Sequence, residues 1–157
     1  MRDEELKRIV EDAVEILLRN EGEIIKNGIH ELTLTHKLAE YLQRNFEDLS
    51  VDLSYNRNIE LGERKPKYYQ DEKYGMPDIV VHKRLANDHN LLVIEIKKQD
   101  YKEGRDKDRE KLEAFTTSTQ AEGYNFQLGL FLDVPVTNEA RPIFVWYKNG
   151  QCEQGGA

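Results

Sequence analysis

Cysteine is nearly absent: Cys152, close to the end of the chain, is the only one, which excludes a disulfide framework and a cysteine zinc site. No apolar run approaches the ~20 residues that a helical bilayer crossing needs. The first residues, Met1-Arg2-Asp3-Glu4-Glu5, are acidic where a signal peptide is basic. The expectation is a soluble cytoplasmic protein with no membrane partner. An excess of positive charge is also missing. Lysine and arginine number 23 against 30 aspartates and glutamates, a formal charge of -7. That argues against a protein that coats nucleic acid indiscriminately, but not against an enzyme that engages it through one local surface. Neither a G-x-S-x-G nucleophile elbow nor a P-loop occurs, so nothing marks a serine hydrolase or an ATP-driven motor. Internal repeats and low-complexity segments are lacking too.

What is present suffices for one domain. The chain has 157 residues, 38% of them hydrophobic, and a chain of this length closes a core without covalent staples. Leu6, Ile9, Val10, Ala13, Ile16 and Leu17 recur at helical spacing over residues 3–20, with Asn20 and Gly22 as the expected stop. A second helix is expected over 31–45 on the stripe Leu34, Leu38, Tyr41 and Leu42. The period then changes to two. Val51, Leu53 and Tyr55 alternate with polar residues, 78–82 and 91–97 are apolar strands, and 58–77 is polar, a long loop or loose hairpin. A helix over 105–117 and strands over 126–132 and 142–147 follow. The order α-α-β-β-β-α-β-β predicts an α/β fold, a mixed sheet flanked by helices, as a single domain over 1–150. Residues 151–157 are expected to fray.

One strand carries an anomaly. Leu91 to Ile96 is apolar enough to be covered on both faces, yet it holds Glu95, and Lys97 follows. Alternation puts Val93, Glu95 and Lys97 on one face and Leu92, Ile94 and Ile96 on the other. Charges at the end of a buried strand are costly unless paired or bound to something. Asp78 opens the preceding strand, and an antiparallel pairing of the two strands sets it beside Glu95 and Lys97. Two converging carboxylates repel, and a hard divalent cation resolves the conflict. Magnesium at such a place, or manganese in its stead, serves phosphodiester chemistry, with Lys97 aiding the attacking water or the phosphorane charge.

Pro77-Asp78, a gap of 16 residues, then Glu95-Ile96-Lys97 resembles the PD-(D/E)xK nuclease superfamily signature. Further strings resemble uncharacterised bacterial and phage members: His36 to Leu42, Asp52 with Tyr55-Asn56-Arg57, Pro77 to His82, Val93 to Lys98, and Asp108 to Leu112. They span roughly residues 30 to 115, with Ser54 standing where an acidic residue is expected. The resemblance implies a restriction-endonuclease-like three-layer core and a magnesium-dependent nuclease. Asp78, Glu95 and Ile96 would form its metal set. It also implies a glutamate from a helix ahead of the sheet. Glu31 falls at about 60° from Leu34, inside the apolar stripe, whereas Glu40 falls on the solvent side, so Glu31 is the choice. The same carboxylate is equally suited to a plain helix-dipole role.

Substrate contacts are expected from His36, Arg57, Lys98 and Lys111. Asp108 and Lys111 are three apart, which fits either a simple helix ion pair or a lysine facing the site and oriented by the aspartate. Arg57, Arg64, Lys65, Lys67, Tyr68 and Tyr69 make a basic-aromatic stretch suited to phosphates and bases. Asp52 reads as a supporting or solvated residue, and Trp146 and Tyr147 as core. The expected partner is nucleic acid, DNA first, with a homodimer or a protein partner left open. The rival reading is a catalytically inactive nucleic-acid- or protein-binding module on the same fold.

Overall fold

The computed structural model describes residues 1–55, 75–86, 88–117 and 124–153, and the backbone alone of 58–60, 63–65, 68–69 and 73–74. The elements in order are α1 (Asp3–Lys26), α2 (Glu31–Gln43), β1 (Ser50–Leu53), β2 (Asn58–Glu60), β3 (Glu63–Lys65), β4 (Tyr68–Tyr69), β5 (Lys73–Tyr74), β6 (Ile79–His82), β7 (Asn90–Lys98), α3 (Arg105–Thr116), β8 (Leu128–Val134), β9 (Ile143–Lys148) and β10 (Gln151–Cys152). Six strands form one sheet in the order β1-β6-β7-β8-β9-β10. Only β7 and β8 run parallel, and α3 is the crossover between them. In the polar stretch before β6, where a long loop or a loose hairpin is expected, β2 pairs with β3 and β4 with β5, both antiparallel. The architecture is α/β, a mixed sheet with helices on both faces.

Alternation sorts the strand residues cleanly. Leu92, Ile94 and Ile96 of β7 lie in register with Leu128, Leu130 and Leu132 of β8, and all six pack with the buried stripes of α1 and α2. The opposite face holds Val80, Val93, Phe131 and Tyr147, covered by Leu112 and Phe115 of α3. Burial of each such Leu, Ile or Phe side chain contributes about 1.5–3 kcal/mol. Trp146 packs on the α1 side with Lys7 over its ring, while its neighbour Tyr147 is buried on the α3 side.

Two boundaries differ from those expected. α1 passes through Asn20 and Gly22 and ends at Lys26, with Asn27 as cap and Gly28 turning at φ +87°. A mid-helix glycine costs only about 1 kcal/mol. Beyond it Ile25 is buried in the core, and Glu21 accepts a 2.9 Å hydrogen bond from the Tyr41 hydroxyl, so packing overrides propensity. Residues 151–153, expected to fray, are instead held. Gln151 and Cys152 pair with β9, Glu153 N–H donates to Trp146 O, and the Glu153 carboxylate binds Lys7 at 2.7 Å. The segment 154–157 lies outside the described residues.

α3 approaches the sheet closely because β8 presents Gly129 beneath it. A Cβ there would stand 2.9 Å from Thr116 Cγ2 and 3.3 Å from both Leu112 Cδ2 and Tyr147 Cβ. Gly129→Ala is therefore expected to overpack this contact and cost about 1–3 kcal/mol, read as a lower urea midpoint at unchanged slope. An unchanged midpoint would show that α3 can shift freely, and with it every side chain that it carries to the sheet.

Candidate active site

β6 and β7 pair with Ile79 opposite Ile94 and Val80 opposite Val93, and one further step sets Asp78 against Glu95. Asp78 Oδ2 accepts a 2.8 Å hydrogen bond from Ile96 N–H, so the carboxylate caps the end of this pairing. Val93, Glu95 and Lys97 share the α3 face, as alternation requires. Glu95 is 1% exposed.

α3 brings two more charges. Its buried stripe is Asp108, Lys111, Leu112, Phe115 and Thr116, at helical spacing. Its start is pinned by Arg105, whose guanidinium donates to both carboxylate oxygens of Asp133 on β8, at 2.8 and 2.9 Å, and to Lys98 O at 3.1 Å. Lys111 Nζ then reaches Glu95 Oε2 at 2.7 Å and Asp108 Oδ1 at 3.1 Å. The other oxygen of Asp108 lies 3.1 Å from Lys97 Nζ. α2 contributes from the opposite side of the sheet's edge. His30 Nδ1 accepts from Leu32 N–H and starts the helix, and Glu31 in the first turn stands 3.7 Å from Lys97 Nζ.

The result is a chain of alternating charges, Glu31–Lys97–Asp108–Lys111–Glu95, with Asp78 beside its buried end. Burial pushes the Glu95 carboxyl well above the usual range, and the Asp78 charge pushes it further. Burial raises Asp78 as well, against the hydrogen bond from Ile96. Burial opposes the Lys97 and Lys111 ammoniums, yet both are held above the usual lysine value, Lys97 chiefly by Asp108 and Lys111 chiefly by Glu95. Among the described residues, Glu95 Oε1 is buried without a hydrogen-bond partner. A buried oxygen left this way costs about 1–3 kcal/mol, a cost that a bound ion would offset.

Asp78, Glu95, Lys97 and Glu31 thus lie in one cluster. The lysine on Glu95, however, is Lys111, and Lys97 is engaged by Asp108 and Glu31. Asp108, read as one of two equal alternatives, is the bridge between the lysines. Its signal was there: charged residues at 108 and 111 fall in the same stripe as Leu112 and Phe115, where an ordinary surface helix pair would not.

Other candidates lie elsewhere. Lys98 Nζ donates to Ile29 O at 3.2 Å and ties β7 to the α1–α2 turn. His36 is exposed, 3.8 Å from Glu40, on the rim of an open groove of about 630 Å³ between α2 and β1. None of its contacts is with the Glu95 cluster. Glu40 is solvent-exposed and pairs with Lys37 at 3.1 Å. Asp52 Oδ2 sits 2.9 Å from His82 Nε2 and accepts from Arg84 Nε at 2.8 Å, a bracing role that holds its carboxyl below the usual value, first through Arg84. Arg57 and Lys67 lie outside the described residues, as do the side chains of Arg64, Lys65, Tyr68 and Tyr69.

Among the described residues, no three His, Cys, Asp or Glu side chains converge as a ready-made metal site. Among them, too, no helix is long and apolar enough to cross a membrane. Compared with family models, with curated proteins and with solved structures, the chain matches none.

Proposed function

We propose that the chain is a magnesium-dependent nuclease, a restriction-endonuclease-like member of the PD-(D/E)xK type, acting on DNA. The observation that carries this reading is the placement of Asp78, one step beyond the β6–β7 register and bonded to Ile96 N–H, beside a Glu95 whose Oε1 is buried and has no hydrogen-bond partner among the described residues. Such a carboxylate pair fits a hard cation: the oxygen donors suit magnesium or manganese, and their mutual repulsion falls when one binds. Asp78, Glu95 and the Ile96 carbonyl would hold the ion. When bound, it supplies Lewis acidity at a phosphate oxygen and acidifies a water.

The chain's own groups do the remainder. Lys97 stays protonated beside Asp108 and Glu31, and its ammonium is the donor for charge that develops on the phosphoryl oxygens. Asp108 is a positioning residue, since it acts through Lys97 and Lys111. Glu31 stands at the solvent side of the cluster, 30% exposed, where it can orient a water. Residues 97–111 carry seven basic and five acidic side chains, and the acidity of the chain is concentrated in residues 1–50, which hold twelve acidic against seven basic. The face around α3 is therefore the one suited to a phosphate backbone.

One feature favours the rival reading of an inactive binding module: both lysines are already engaged by carboxylates. The two are separated by one assay. Purified protein with Mg²⁺ or Mn²⁺ is expected to cut DNA, to stop on chelation, and to lose cutting and Mn²⁺ binding together in Asp78→Asn. Cutting that persists in EDTA, or Mn²⁺ binding that Asp78→Asn leaves intact, rejects the nuclease assignment.

A further inference from the structure

The cluster holds four carboxylates, Glu31, Asp78, Glu95 and Asp108, and two ammonium groups, Lys97 and Lys111. With all six ionised the net charge is -2, which a single divalent cation neutralises. The two lysines divide the work unequally. Lys97 pairs with Asp108 and Glu31, at 3.1 and 3.7 Å, and lies over the Tyr101 ring. Lys111 is placed on Glu95 itself at 2.7 Å, and a second carboxylate, Asp108 Oδ1, waits 3.1 Å from the same nitrogen.

We infer that Lys111 is a built-in competitor for the metal: its ammonium holds Glu95 Oε2 in the metal-free protein and must yield that oxygen, retreating onto Asp108, when a divalent cation binds. The inference rests on the metal-dependent reading above and goes beyond it by assigning Lys111 a gating role. Three observations carry it. Glu95 Oε1 has no hydrogen-bond partner among the described residues although it is buried, so Lys111 satisfies only half of the carboxylate. Lys111 is a flexible ammonium, able to move between two oxygens without leaving the cluster. Asp108 is already at contact distance, so the retreat breaks one charge-assisted bond and keeps the other. The same arrangement accounts for the lack of a three-carboxylate group among the described residues: ammonium groups stand between carboxylates that a metal would draw together.

The test is calorimetric titration of MnCl₂ into the wild type, Lys111→Gln, Lys97→Gln and Asp78→Asn. Removing either lysine takes one positive charge from the cluster, so Lys97→Gln measures the general electrostatic gain. Competition at Glu95 predicts that Lys111→Gln tightens Mn²⁺ at least tenfold and Lys97→Gln less than threefold. The metal-free Lys111→Gln protein is also expected to melt lower than the wild type and to gain more in melting temperature from saturating Mn²⁺. If both glutamine variants tighten binding equally, and Asp78→Asn abolishes it, the gating role is overturned while the metal-site reading stands. If neither the wild type nor Lys111→Gln binds Mn²⁺, the metal-site reading itself fails and the inference falls with it. Should Lys111→Gln not fold, Lys111→Arg replaces it. A guanidinium holds a carboxylate bidentately, so this variant should weaken Mn²⁺ severalfold, and an unchanged affinity overturns the proposal.

Discussion

Replacing Glu95 by alanine is expected to reduce metal-dependent cutting at least a thousandfold. The magnitude follows from what the carboxylate is asked to do. A bound divalent ion contributes several kcal/mol of transition-state stabilisation, and about 1.4 kcal/mol is a factor of ten in rate, so losing the ion costs roughly three decades. Loss of activity alone would not separate chemistry from folding, because alanine leaves the buried Lys111 with Asp108 as its carboxylate partner and a long 3.5 Å hydrogen bond to Met76 O. Glu95→Gln separates them. It keeps the shape and can accept a hydrogen bond from Lys111, while it removes the charge that Asp78 repels. That variant is expected to fold with near wild-type stability and to be as inactive as the alanine. Single-turnover rates and far-ultraviolet dichroism on both variants supply the measurement. Cutting above about a tenth of the wild-type rate in either one sinks the assignment of Glu95 as a metal ligand.

How much of this was readable beforehand depends on the range of the information. The pairing of Asp78 with Glu95 was, because β6 and β7 are consecutive strands and their alternation fixes which residues share a face. Glu31 on the sheet side of α2 followed from helical angles alone. Which lysine touches Glu95 did not follow. That depends on the parallel register of β7 with β8, on the depth to which Gly129 lets α3 settle, and on the clamp of Arg105 on Asp133. All three join residues distant in sequence. The overrun of α1 past Gly22 and the pairing of 151–153 were hidden for the same reason. Ile25, Tyr41, Trp146 and Lys7 decide them, and local propensity does not know where those residues end up.

Asp108→Ala is expected to lower stability by about 3 kcal/mol, the scale for breaking a buried ion network from one side. Two effects compete. Asp108 repels Glu95 and Asp78, so its removal relieves them; but it also binds two ammonium groups at 3.1 Å each, and both are mostly buried. Asp108 is in direct contact with both ammonium groups, whereas no contact with Glu95 or Asp78 occurs among the described residues. Attraction therefore wins, and the alanine variant leaves Lys97 with the more distant, partly exposed Glu31 as its carboxylate and the Tyr101 ring beneath it. At this chain length 3 kcal/mol is a fall in melting temperature of roughly 6–12 °C. Asp108→Asn, which can still accept a hydrogen bond, should lose less. Removing both ends of a pair has a different consequence. A Glu95→Leu, Lys111→Met double variant leaves no unpaired charge between those two positions, and it should unfold within about 1 kcal/mol of the wild type. Urea denaturation of the three variants decides the matter. A loss below 1 kcal/mol in Asp108→Ala would mean that the lysines find other partners and that Asp108 is not their anchor. The expected pattern, a costly single change beside a nearly silent double one, would mean that the network is not maintained for stability. Chemistry would then be the reason that four carboxylates and two lysines share one end of a buried strand.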